Sequence, residues 1–222
     1  MTKRPEICTI FFDLDGTLVD TEPLAARSIE RCFKDWNVQL DSKDAHYVTG
    51  RTWDSALEFL FQKYTVPLTQ KEASRAILSA YREILRKEIQ AVPGAIEAVH
   101  SLSKEFPLAL ISGSHREEIF TALDALKITS FFKTILGAED YPRSKPAPDG
   151  FQKALQILGA EPQKTLLFED STAGIASGLT AGLWVAALTS TNHFGQDQSK
   201  AHWRIEDLKP VNVQWVRELH HG

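Results

Sequence analysis

The chain has 222 residues, 43% hydrophobic and 24% charged, with a formal net charge of -4 at pH 7. These proportions are ordinary for a folded soluble domain and exclude a disordered or fibrous chain, and no apolar run approaches the ~20 residues that cross a bilayer. Acid exceeds base and the basic residues are spread rather than clustered, which argues against nucleic acid and membrane and for a small soluble partner.

The first β-prone run, Ile7 to Phe12, stops at Asp13. Before it, MTKRPEIC carries basic residues with no long apolar stretch behind them; this is not the pattern of a signal peptide, and a cytoplasmic location is expected. Cys8 and Cys32 match neither a metal motif nor a disulfide framework and are expected to be two buried thiols. From Glu22 to Gln90, apolar residues recur at helical spacing in PLAARSIERCFKDW, TWDSALEFLFQKY and QKEASRAILSAYREILRKEI. From Val92 the pattern becomes an alternation. PGAIEAVHSLSKEF is helical with Pro93 near its first turn, PLALIS a buried strand, HREEIFTALDAL a helix, TILGA a strand and APDGFQKALQILG a helix ending near Gly159; KTLLFED is a strand, STAGIASGLTAG a helix with Ser171 as N-cap, and LWVAAL a strand.

That order predicts an α/β fold, a Rossmann-like parallel sheet with helices on both faces, which the first strand joins. The helical block is then an insertion: residues 1–19 and 91–222 form the core domain and residues 20–90 a helical cap. In open sheets of this kind the ligand site lies at the carboxyl ends of the strands. After the first strand comes DLDGT, after PLALI comes SGS, after TILGA a loop with RSKPAPD, and after TLLF comes EDS.

Asp13, Asp15, Glu169 and Asp170 brought together would repel unless some stayed protonated. A divalent cation resolves the conflict, and an oxygen-only ligand set without His or Cys points to Mg²⁺. Lys145 and the hydroxyl and backbone groups of Ser112, Gly113 and Ser114 suit a dianionic phosphoryl group beside that metal. Each piece has a plainer reading: Asp13 and Asp15 before Gly16 make an ordinary turn, Lys145 alone is a solvated lysine, Ser112 and Ser171 are capping or turn residues, Glu169 balances charge, and His115 starts a helix at the surface. It is the four segments in order that favour the chemical reading.

DLDGT, SGS, the lysine of SKPAPD and EDSTAGIASGLTAG, each after a successive strand, resemble the four motifs of the haloacid dehalogenase superfamily. The wider resemblance, over nearly the whole chain, is to the β-phosphoglucomutase-like branch of phosphatases and mutases, whose helical cap (a type C1 insertion) follows the first motif. It implies Asp13 as a nucleophile that becomes an aspartyl phosphate and Asp15 as the acid, then base, of the two half-reactions. It implies Mg²⁺ held by Asp13, the backbone carbonyl of Asp15 and Asp170, with Glu169 at or behind the metal shell. Ser112 and Lys145 would bind the transferring phosphoryl oxygens, Gly16 would permit the chain reversal and Thr17 would support the loop. Arg51 is a candidate substrate contact, with Trp53 beside it, in a cap that closes over substrate.

The activity so implied is a Mg²⁺-dependent phosphatase acting on a small phosphorylated metabolite, a sugar or polyol phosphate, as a monomer or dimer. The alternative is a β-phosphoglucomutase-like phosphomutase. Against it, the mutase pattern has a cap histidine five residues after the aspartate corresponding to Asp20, where this chain has Ala25, and Trp53 stands where the mutase pattern has a phosphate-binding arginine, with Arg51 as a substitute. A signalling receiver domain also combines an acidic pair, an acceptor aspartate and a lysine, but lacks the helical insertion and places its acceptor in mid-chain.

Overall fold

The computed structural model describes residues 6–47, 53–193 and 195–219. The chain divides into two compact units, Met1–Val19 with Ala91–Gly222, and Asp20–Gln90.

The first unit is built on a parallel sheet of β1 (Thr9–Phe12), β2 (Leu108–Ile111), β3 (Phe132–Leu136), β4 (Thr165–Glu169), β5 (Trp184–Leu188) and β6 (Trp203–Ile205). Their spatial order is β3-β2-β1-β4-β5-β6. Strands covered on both faces need apolar side chains in both directions, and TIFF, LALI and TLLFE are buried throughout. Successive side chains of β1 point to opposite faces. Phe11 stacks on Phe151 with ring centroids 6.4 Å apart, while Phe12 stacks on Phe168 at 5.0 Å and meets the edge of Phe132 at 6.3 Å. Truncating a buried ring of this kind costs about 3–5 kcal/mol.

Phe151 belongs to α7 (Asp149–Leu158), and Phe168 also meets Trp215 of α9 (Val213–Arg217) at 6.0 Å, so helices cover both faces. The other helices of this unit are α5 (Ala95–Leu102), α6 (Arg116–Ala125) and α8 (Thr172–Thr180). Gly159 ends α7 in the left-handed conformation at φ 60°, and the Ser171 side chain caps α8 by accepting from the Gly174 amide at 3.0 Å.

The second unit consists of α1 (Glu22–Asp35), α2 (Ser42–Tyr47), α3 (Trp53–Lys63) and α4 (Gln70–Glu88). Its core joins Ile29 and Phe33 of α1, Leu57 and Leu60 of α3 and Ile77 of α4. The ion pairs Arg27–Glu88 (2.6 Å) and Arg31–Glu83 (2.9 Å) flank the α1–α4 seam. Thr69 and Glu72 form a capping box at the start of α4, each side chain accepting from the other's amide.

Two findings depart from the sequence reading. Cys32 is buried, but Cys8 is exposed: β1 begins only at Thr9, and Cys8 precedes it, its amide donating to the Lys164 carbonyl at 2.8 Å. Beyond Leu188 the chain adds β6 and α9, which periodicity did not reveal. Three residues are too few to alternate legibly, and β6 exists through its pairing with β5 (Ala186 opposite Trp203) and the Trp184–Trp203 contact at 5.8 Å. No helix among the described residues is long and apolar enough to cross a membrane.

Candidate active site

Register decides which residues share the sheet's carboxyl rim. Phe12 lies opposite Leu110 on one side and Phe168 on the other, so Asp13, Ser112 and the Glu169–Asp170 pair leave the sheet together. The Asp13 amide extends the ladder one step by donating to the Phe168 carbonyl at 3.0 Å. The strand order makes this a topological switch point, where open α/β sheets form crevices.

Asp13, Glu169 and Asp170 are all buried, and their carboxylate oxygens lie within 4.8 Å of one another. Lys145 reaches into the cluster: its Nζ is 2.5 Å from Asp13 Oδ1 and 2.6 Å from Glu169 Oε1. Burial pushes the Asp13 carboxyl up to about 8 despite Lys145, with Glu169 and Asp15 adding to the rise. Burial opposes the charge on Lys145, but the carboxylates of Asp13 and Glu169 more than offset it and hold the ammonium above its ordinary range. Lys145 thus faces buried acidic side chains, and an all-oxygen donor set of this spacing fits a hard divalent cation.

The members of the cluster differ. Glu169 Oε2 accepts from the amides of Asp170 (2.8 Å) and Ser171 (2.7 Å) and from Ser171 Oγ (3.0 Å), while Oε1 faces Lys145. Both its oxygens are engaged by protein groups. Gly174 makes room for it, since a Cβ there would fall 1.6 Å from Glu169 Oε1. Gly16, at φ +75°, does the same for Asp170: a Cβ would fall 2.2 Å from Asp170 Oδ2. The backbones of both partners are tied, Gly16 through Thr191 Oγ1 donating to its carbonyl at 2.5 Å and Asp170 through Gln198 Nε2 donating to its carbonyl at 2.6 Å.

Asp15 is treated differently. Its Oδ2 accepts from Ser114 Oγ at 2.7 Å and from Ser112 Oγ at 3.1 Å, and Ser112 Oγ accepts in turn from the Ser114 amide at 2.9 Å. The loop bearing Lys145 is pinned by Ser177 Oγ donating to the Ala147 carbonyl at 2.7 Å.

The structure thus brings Asp13, Asp15, Ser112, Ser114, Lys145, Glu169 and Asp170 to one rim. Ser112 Oγ faces Asp15, and Gly113 is exposed beside it. His115 is the half-exposed N-cap residue of α6, its ring 2.9 Å from Glu139 Oε1. Thr17 is fully buried. Trp53 packs within the helical unit against Tyr81 at 5.3 Å, and Ala25 lies against a cluster that includes Leu24 and Leu85. Arg51 lies outside the described residues. Sequence reasoning missed Thr191 and Gln198, whose segment has no periodic pattern, and the packing role of Gly174; the small residues of STAGIASG were the available signal for the last.

Comparison with known proteins identifies the family. Residues 10–188 match the family described as haloacid dehalogenase-like hydrolase. The chain is 30% identical over 213 residues to pyrophosphatase PpaX of Oceanobacillus iheyensis, covering 92% of this chain and 95% of that one. It is 27% identical over 175 residues to fructose-1-phosphate phosphatase YqaB of Escherichia coli, covering 78% and 92%. Among solved structures, CbbY of Rhodobacter sphaeroides in complex with phosphate superposes with a TM-score of 0.81 at 23% identity, covering 95% and 99%, a likeness of fold. The chain belongs to the haloacid dehalogenase-like hydrolase family.

Proposed function

We propose that the protein is a Mg²⁺-dependent phosphatase that hydrolyses a small phosphorylated metabolite, a sugar or polyol phosphate, through an aspartyl phosphate on Asp13. The observation that carries this reading is the contrast between two carboxylates two residues apart. Asp13 is buried against Lys145 in an acidic cluster, whereas Asp15 rests on two serine hydroxyls. Lys145, together with a cation in the acidic cluster, would hold Asp13 ionised as the nucleophile, and Asp15, outside that cluster, is placed to carry the proton.

Asp13 forms its bond to phosphorus as the bond to the leaving oxygen breaks, and Asp15 delivers a proton to the departing alkoxide. Asp15 then takes a proton from the water whose oxygen attacks phosphorus, and the bond to Asp13 breaks, releasing inorganic phosphate. Lys145 steadies negative charge on Asp13 and on the phosphoryl oxygens, which Ser112 and Gly113 also bind. Asp13, Asp170 and the backbone carbonyl of Asp15 would hold Mg²⁺, with Glu169 supporting them. When bound, the ion supplies positive charge that offsets the carboxylates and the phosphoryl group.

The fructose-1-phosphate phosphatase relative supports a sugar phosphate, and the pyrophosphatase relative identifies the competitor to test beside it. Ala25, in place of the mutase histidine, favours water over a sugar hydroxyl as acceptor. The decisive experiment is phosphate release from sugar phosphates, phosphoglycolate, nucleotides and pyrophosphate by wild type and Asp13→Asn. Enzymes accelerate phosphate-monoester hydrolysis by up to ~10²¹, so without the nucleophile turnover falls to background. Wild-type rates in a variant whose substitution is verified by mass would refute the mechanism.

A further inference from the structure

Tyr141 lies in the connection between β3 and α7, four residues before Lys145, and is buried. Its hydroxyl donates to the backbone carbonyl of Ser112 at 2.7 Å. The ring fits there because Gly150 has no side chain: a Cβ at that position would come within 2.9 Å of both Tyr141 Cε1 and Ile111 Cγ2. Burial pushes the phenol up to about 12, so it remains a donor at neutral pH.

A trans peptide is planar, with its C=O and N–H on opposite sides. A Ser112 carbonyl drawn into the core by Tyr141 therefore turns the Gly113 N–H outward. The neighbouring groups are committed to the loop itself: the Ser112 amide donates to the Leu136 carbonyl at 3.0 Å, the Ser114 amide to Ser112 Oγ at 2.9 Å, and the Ser114 carbonyl accepts from the Ala138 amide at 2.9 Å. The Gly113 N–H donates to no acceptor among the described residues, and a Cβ on Gly113 would meet nothing within 4 Å.

We propose that Tyr141 is a positioning residue which, by holding the Ser112 carbonyl, fixes the Gly113 amide as a donor to the phosphoryl oxygens of the substrate. This rests on the phosphatase reading above and extends it to a side chain that touches neither substrate nor metal. A donor set before the reaction needs no reorganisation as charge develops. The effect of Tyr141 therefore follows the phosphoryl group and is the same whatever the leaving group.

Tyr141→Phe removes one oxygen and keeps the ring. Its control is Thr165→Val at the amino end of β4, which removes a fully buried hydroxyl that donates to the Glu161 carbonyl at 2.8 Å. Both variants are expected to lose comparable stability in urea. Tyr141→Phe alone is expected to lower kcat/KM about tenfold, by the same factor for p-nitrophenyl phosphate and a sugar phosphate. That is less than the roughly 10²–10³ for deleting an oxyanion donor, because the amide stays but is no longer held. Titration with inorganic phosphate, followed at the Gly113 amide by NMR, is expected to show an affinity weakened by a similar factor. Unchanged kcat/KM and phosphate affinity in Tyr141→Phe, or a loss shared equally by Thr165→Val, would overturn the proposal. A wild type that binds phosphate at Gly113, with the loss in Tyr141→Phe, but hydrolyses no ester would sink the phosphatase reading and leave the role of Tyr141 standing.

Discussion

Replacing Gly16 by alanine tests the active-site loop most directly, because it separates backbone strain from the geometry of the acidic cluster. Gly16 sits at φ +75°, where an L-residue costs about 1–2 kcal/mol. Its amide donates to the Val19 carbonyl at 2.7 Å and its carbonyl accepts from Thr191, so the loop cannot relax by turning the residue. A Cβ there falls 2.2 Å from Asp170 Oδ2, against the 3.4 Å at which ordinary contact begins, so the carboxylate must move by about 1.2 Å. The Asp170 backbone is held at its amide by Glu169 and at its carbonyl by Gln198. The side chain must therefore leave its present place in the acidic cluster, and a misplacement of about 1 Å in an active site costs about 10²-fold. The control is Gly159→Ala, also left-handed at φ +60° but with nothing within 4 Å of its Cβ. Urea unfolding should show both variants destabilised by about 1–2 kcal/mol. Phosphate release with varied Mg²⁺ should show kcat/KM down about 10²-fold, and a higher Mg²⁺ requirement, in Gly16→Ala only. Wild-type kinetics in Gly16→Ala, or equal losses in the two variants, would refute the placement of Asp170.

Three further outcomes are expected. Chelation should abolish turnover and Mg²⁺ should restore it better than Ca²⁺, whose looser, larger coordination shell misplaces the attacking oxygen; full activity in metal-stripped protein would contradict the cluster's role. Supplied with β-glucose 1-phosphate and catalytic glucose 1,6-bisphosphate, the enzyme should release phosphate; conversion mainly to glucose 6-phosphate would show that another side chain replaces the histidine absent at Ala25. The Arg143 guanidinium hydrogen-bonds both Asp149 oxygens at 2.9 Å and holds that carboxyl below its ordinary value of 3.8. A depressed carboxyl stabilises the fold above its unfolded pKa and loses that contribution as pH falls through the folded one. Wild type should therefore exceed Arg143→Leu in urea midpoint at neutral pH and converge with it well below pH 3.8; a gap that persists in acid would assign the difference to packing.

Much of the molecule is local in its chemistry and so was legible in the sequence. Strands β1, β2, β4 and β5 are short, largely apolar runs because the interior of a parallel sheet is covered on both faces, and the helices between them carry their periodicity and punctuation, such as Gly159 and Ser171, in their own residues. The carboxylates of DLDGT and EDS could be read because each lies at the end of such a run, where this architecture puts its ligands. What the tertiary structure decided is everything set by contact between distant segments. Strand order and register put Asp13 beside Glu169 and bring Lys145, 132 residues away, onto its carboxylate. Thr191 and Gln198 brace the loop from a stretch with no pattern of its own, β6 forms only on the edge of β5, and Cys8 is exposed although it belongs to an apolar run. Periodicity records which face of an element is buried; it does not record which element does the burying, and the hydrogen bonds from Tyr141, Thr191 and Gln198 depend on that second fact.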